Sequence, residues 1–490
     1  MSRVARPLRD SERLQGGVRA SGPLPLQALA VLLVAALTGL LLGRFLLAGQ
    51  GQGADNAAGG PAATSAAAAA GTSGAAAGSE ATVATVATVA RLQAQLAASP
   101  DQPLLLTQLG AAYLTRARET ADPTYYAKAA AALQRSERLD GANAQTMTAL
   151  GLLDLARHDF RAALGWGERA HRLDPAAADP LGVVLDAQVE LGRYRDAAAT
   201  AQAMVDRKPN LASLARVSYV RELLGDPEGA LLAMEQAVSA GAGSPADRAY
   251  VQVLVGDLRL GRGQLDQAEA AYQAAQRDQP DYGPAQVGRA EVAVARGELR
   301  QAAALLGPVA QRLPLPATVA LLGDVQTRLG EARVAAGQYQ LVHAIETLNR
   351  ANGVAVDLEL ARFEANHARD SGGNAGAAVT LARRALVERP TIFAEDILGW
   401  ALRQTGEPAE ALPHAQAAVR LGTQDALLWY HLAAIEADLG QRRPASRDLA
   451  TALRINPYLV TPTAAVRDRS DALALAKRLG VAVPSLEASR

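Results

Sequence analysis

The sequence predicts an all-α chain: a solenoid of antiparallel helix pairs, preceded by one transmembrane helix. Three observations predict it. Apolar residues make up 49% of the chain but aromatics only 4%, so Ala and Leu must supply the buried surface, which suits close-packed helices better than sheets. At 490 residues the chain exceeds one globular core and must divide or extend as a repeat. From Thr107 onward it can be laid on itself with a period near 34 residues.

Taken in order, residues 1–23 form an Arg-rich tail, with Arg3, Arg6, Arg9, Arg13 and Arg19 against Asp10 and Glu12. Residues 24–48 are an apolar run, uncharged from 24 to 43 and interrupted only by Arg44, long enough to span a bilayer. No Lys or Arg follows between Arg44 and Arg91, so the positive-inside rule leaves the N-terminus cytoplasmic and the repeats extracytoplasmic, on a single-pass anchor in the cell membrane. A cleaved signal peptide is the rival reading, with small residues at 51–54, although no A-x-A pattern closes the run. Residues 49–90 begin with a Gly/Ala/Ser tract too poor in bulky apolar groups to order itself, and read as a disordered tether.

Residues 91–458 carry about ten repeats. One alanine slot recurs at Ala163, Ala197, Ala230, Ala268, Ala302, Ala335, Ala378, Ala411 and Ala445, with spacings of 33 or 34 except for steps of 38 and 43. Five residues before most of these alanines stands a glycine: Gly192, Gly225, Gly263, Gly297, Gly330, Gly373, Gly406 and Gly440. It closes the first helix of each unit in the left-handed conformation, so the second helix packs back antiparallel and the small alanine permits close contact. Prolines at Pro175, Pro209, Pro280, Pro314, Pro390 and Pro457 stop many second helices. Departures are the insertions AGAGSP and NRANGVAVDL after two units and the segment ETADPTYY inside the first. Residues 459–490 hold an amphipathic stretch at 470–480 that reads as a capping helix, then a tail.

This pattern resembles the tetratricopeptide repeat. Leu109-Gly110 with Tyr113, Leu150-Gly151, Leu322-Gly323 and Trp429 with Leu432 match its first helix, and Phe160 and Tyr194 match the aromatic before its signature alanine. The resemblance covers residues 92–457. The wording is also similar to bacterial tetratricopeptide proteins, a group largely without assigned activities. It implies a right-handed superhelix whose first helices line a peptide-receiving groove, and so a scaffold or adaptor for protein partners in envelope assembly, secretion or maturation. The slot after Leu-Gly points into that groove in the family; here it holds Leu152, Asp186, Tyr219, Asp257, Glu291, Asp324, His367, Trp400 and Ala434. Four of the nine are acidic and none is basic, and neighbouring positions add Glu190, Glu222, Asp370, Asp396 and Asp438 against Arg328 and Arg403. One reading is an acidic groove for a partner's basic segment, with Tyr219, Phe363, Trp400 and Tyr430 as anchors. The other is a solvated helix face, and a third places contacts on the convex face and the insertions, as in a structural or sensory protein.

Chemistry finds little support. With 49 basic and 49 acidic residues the net charge is zero, which disfavours nucleic acid, and without cysteine there are no disulfides, thiolate sites or lipidated cysteine. No two of the six histidines stand four apart, and no phosphate loop, nucleophile elbow or dinucleotide fingerprint is present. The sequence therefore implies no cofactor, metal, small-molecule substrate or enzymatic activity.

Overall fold

The computed structural model describes residues 76–239, 244–371, 375–460 and 471–484, and all their regular structure is helical. The tail and the apolar run at 24–48 lie outside the described residues; among those described, no helix is long and apolar enough to cross a membrane. The first helix, α1 (Ala76–Ala98), begins inside the segment read as a disordered tether, whose last fifteen residues are thus ordered. Its Leu92 is buried and Val89 and Leu96 pack with it on α2, because apolar side chains three and four apart give 89–96 a stripe that the preceding Gly/Ala tract lacks.

Ten helix pairs follow. Units 1 to 5 are α2 (Pro103–Thr120) with α3 (Thr124–Leu139), α4 (Ala144–Ala156) with α5 (Phe160–Leu173), α6 (Asp179–Glu190) with α7 (Tyr194–Arg207), α8 (Leu211–Leu223) with α9 (Pro227–Ser239), and α10 (Pro245–Gly261) with α11 (Leu265–Asp278). Units 6 to 10 are α12 (Gly283–Arg296) with α13 (Leu299–Arg312), α14 (Pro316–Arg328) with α15 (Ala332–Ala351), α16 (Asp357–Ser371) with α17 (Ala375–Glu388), α18 (Ile392–Gln404) with α19 (Pro408–Ala418), and α20 (Ala426–Asp438) with α21 (Arg442–Ile455). A 3-10 turn at Pro457–Val460 and α22 (Ala472–Leu479) close the array. The helix anticipated at 470–480 is therefore present, ended by Gly480 at φ +71°.

The alanine slot is the pivot of each pair. Ala163, Ala197, Ala230, Ala268, Ala302, Ala378, Ala411 and Ala445 are wholly buried, because a larger side chain would hold the two helices apart. The glycine slot adopts the expected left-handed backbone, with φ from +67° at Gly192 to +84° at Gly406, while Gly373 lies outside the described residues. Unit 2 has no glycine there: His158 takes φ +61° instead, at a cost of about 1–2 kcal/mol for an L side chain. Local caps fix several first helices, as in the reciprocal Asn210–Ser213 box at the start of α8.

First and second helices differ in their surroundings. In α6 every residue from Leu181 to Glu190 except Asp186 is buried, and α8 and α20 are nearly as enclosed. The second helices keep charged residues outside and present one apolar face inward, as in α5 and α21. Enclosure on all sides needs more cover than one partner helix supplies, and the rest comes from the chain meeting itself again.

The solenoid coils tightly enough that the Gly turns of early units rest on the loops between late units. The turn of unit 2 meets the loop between units 7 and 8, where His158 Nδ1 donates to Ala355 O (2.7 Å) and Ala355 N donates to Arg157 O (2.9 Å). The turn of unit 3 meets the loop between units 8 and 9, where Ile392 N donates to Tyr194 Oη (2.9 Å). The turn of unit 4 meets the loop between units 9 and 10, where Thr423 Oγ1 donates to Leu223 O. The turn of unit 5 meets the end of unit 10, where Asn456 Nδ2 donates to Leu260 O (3.1 Å). The advance is the same each time, so one edge of the ribbon is sealed against the other along a continuous seam. The apolar core crosses this seam: Val354, Val356, Ile392, Ala418 and Leu428 share one cluster with residues of the first five units. The insertion NRANGVAVDL, expected as a surface departure, is thus partly internal, with Val354 and Val356 buried.

Candidate functional site

The first-helix row singled out by the sequence is held by side chains of its own unit and the next. Asp186 accepts two hydrogen bonds from the Arg216 guanidinium of the following first helix (2.8 and 2.7 Å). Both side chains are mostly buried, and burial pushes the Asp186 carboxyl up against the opposing pull of Arg216. Tyr219 is buried. Asp257, half-buried, accepts from Tyr272 Oη (2.7 Å). Glu291 is also half-buried. Asp324 is buried and accepts from Tyr339 Oη (2.9 Å) and His367 Nε2 (2.8 Å), while His367 Nδ1 lies 3.0 Å from Phe363 O. Trp400 Nε1 donates to Asn366 (2.8 Å) of the preceding first helix, and Tyr430 is buried beside it with ring centroids 6.0 Å apart.

Those anchors belong to a wider set, to which the structure adds His343 and His431. His431 Nδ1 sits 2.9 Å from Asp396 and its ring stacks on Trp400 with centroids 3.9 Å apart. Phe363 stacks on His367 at 4.5 Å and meets His343 edge-on at 5.2 Å. Arg403 bridges Asp438 of the next unit (2.8 Å) and covers the Trp400 ring. Carboxylates, imidazoles and aromatics here form a ladder from first helix to first helix across units 7 to 10. Among the described residues, no group of three or more His, Asp or Glu is arranged to hold a metal ion.

The structure adds a polar cluster on the seam. Arg389, in the loop after α17, donates to Glu190 of unit 3 (3.0 and 2.7 Å) and to Glu359 of unit 8 (2.7 Å), with all three side chains buried. Its guanidinium lies 5.0 Å over the Phe160 ring. His158, also buried, is 3.9 Å from Glu359, and desolvation holds its imidazole pKa below the usual value, which agrees with a neutral ring donating from Nδ1. Nearby Glu346, on α15, is pushed up to about 8 by burial and by the Glu359 charge. The legible signal was the histidine standing where every later unit has glycine. Its partners, some 200 residues away, had none.

No protein-family model and no curated protein matches the sequence. Solved structures that align with the chain include that of the APC/C hetero-tetramer Cut9-Hcn1, at TM-score 0.37 and 16% identity over 80% of this chain and 92% of that one. A tetratricopeptide repeat protein from Parabacteroides merdae aligns at TM-score 0.37 and 17% identity over 49% of this chain and 97% of its own. The Pseudomonas aeruginosa pilF protein aligns at 0.32 and 16% over 43% and 92%. Likeness this distant transfers neither partner nor activity, and the repeated helix pairs of the chain stand on its own alanine and glycine slots.

Proposed function

We propose that this chain is a membrane-tethered tetratricopeptide scaffold that holds protein partners on the extracytoplasmic side of a bacterial cell, in envelope assembly, secretion or maturation. The observation that carries the interaction surface is the internal pairing of the inner row. A basic segment entering along the first helices would have to displace Arg216 from Asp186, and Tyr339 and His367 from Asp324. Replacing a hydrogen-bonded, largely buried pair leaves the displaced group unsatisfied and costs about 1–3 kcal/mol per group. The second helices ask for no such exchange, and Leu173, Leu232 and Val387 already stand exposed on them. The convex face is therefore the favoured docking surface, and the groove bearing Asp257 and Glu291 is the second reading, favoured by their half-buried positions.

The test is photo-crosslinking of the full-length chain in its own membrane, with the reactive residue placed in turn at Leu173, Leu232, Val387, Asp257 and Glu291. Protein adducts at the first three positions support the convex face. Adducts confined to the last two transfer the proposal to the groove, and no protein adduct at any of the five sinks the scaffold reading.

A further inference from the structure

The second helix of unit 7 is unlike its counterparts. It runs for 20 residues, whereas the second helices of units 1 and 9 have 16 and 11. Its inward face is ordinary: Ala335, Tyr339, Val342, Glu346 and Asn349 are buried. Its outward face is not. Val334, Gly337, Leu341, Ala344, Leu348 and Ala351 are all exposed, and their spacing alternates three and four, the a/d spacing of a coiled-coil seam. Of the positions flanking this stripe, Gln338, Gln340, Ile345 and Thr347 carry no charge, and Arg333 at its start does.

We infer that this stripe pairs antiparallel with the same helix of a second copy of the chain, about a two-fold axis passing between Leu341 and Ala344. Bulky and small residues alternate along it: Val, Gly, Leu, Ala, Leu, Ala. In the antiparallel register centred between Leu341 and Ala344, Val334 faces the partner copy's Ala351, Gly337 its Leu348 and Leu341 its Ala344, so every bulky residue opposes a small one. A two-fold interface repeats each contact in reverse, so the whole stripe is complementary to itself. A parallel pairing would set Leu on Leu and leave Gly opposite Gly.

Gly337 is compatible with that register. It lies in the middle of a helix, where glycine is less stable than alanine, and a Cβ built there would meet nothing within 4 Å. Nothing among the described residues requires it to be small; Gly165 and Gly307 are equally open, so the glycine leaves room for an opposing Leu348 side chain without by itself demanding one. A single pair of helices, each about 30 Å long at 1.5 Å per residue, lies toward the low end of specific interfaces. The dimer is accordingly concentration-dependent.

The chain has no native cysteine, so crosslinking of the full-length protein reads out the register directly. Val334→Cys combined with Ala351→Cys places two facing pairs per dimer and gives a disulfide-linked dimer on mild oxidation. Each single variant gives little, and the 16 intervening helical positions forbid a bond within one chain. Gly337→Leu keeps the helical circular dichroism of the parent, since its side chain enters open space, yet reduces the crosslinked fraction at least tenfold. Dimer formation by Val334→Cys alone indicates a parallel pair and overturns the inference, as does the absence of any crosslink in the double variant. A crosslinked product of a mass other than two copies overturns it in favour of a different occupant. None of these outcomes depends on whether the convex face holds other proteins.

Discussion

Alanine placed at Gly192 or at Gly406 makes the same local demand and two different long-range ones. Both glycines close a first helix, at φ +67° and +84°, so each substitution puts an L side chain in the left-handed region at about 1–2 kcal/mol. Beyond Gly406 nothing lies within 4 Å, whereas a Cβ at Gly192 would sit 2.3 Å from Pro390 O. Ordinary contact begins at 3.4 Å, so the seam would have to part by over 1 Å, an overpacking that adds about 1–3 kcal/mol. Hydrogen exchange of the full-length chain separates the two. Gly406→Ala should leave the amides of Ala355 and Ile392, which donate across the seam, unchanged. Gly192→Ala should speed exchange at Ile392 by about 5- to 150-fold, the equivalent of that added cost if the opening is local. Equal effects of the two variants on the thermal midpoint, with Ile392 unaffected by both, would refute the stacking of turn on loop.

Two further outcomes follow from the seam cluster. Arg389→Met leaves Glu190 and Glu359 buried without their shared cation and should cost about 3–5 kcal/mol, with Arg389→Lys recovering only part of it because one ammonium cannot reach both carboxylates as the fork does; thermal unfolding at pH 7 checks both. Glu346 binds its proton more tightly folded than unfolded, its pKa being pushed from 4.5 to about 8, so its contribution is present below about pH 4.5 and is lost as pH rises through 8. Glu346→Gln should therefore flatten the fall in melting temperature between pH 5 and 8.5, and an unchanged slope would contradict the burial of that carboxyl.

What was legible in the sequence is what repeats at short range. The alanine slot located nine of the ten helix pairs, because each unit must solve the same packing and turn problem. The seam was illegible for a complementary reason: the pitch of a solenoid accumulates from a small rotation per unit, and no single residue encodes it. The same applies to the inner row. Asp186 and Asp324 were found as acidic positions, but their engagement by Arg216 and His367, 30 and 43 residues on, depends on how neighbouring units rotate. Residues 76–90 were misread because Gly and Ala dominate up to Glu80, while the Val89, Leu92 and Leu96 stripe that orders the helix lies mostly beyond the boundary chosen.

An open repeat array tolerates the gain or loss of a unit, since every unit touches only its neighbours. Here four turns are matched in order to four loops, from His158 with Ala355 to Leu260 with Asn456. Duplicating or deleting a unit between Gly263 and Val354 would move every one of these pairs out of step together. The number of repeats is thereby locked in the way teeth lock a gear, and the array should lengthen only at its ends.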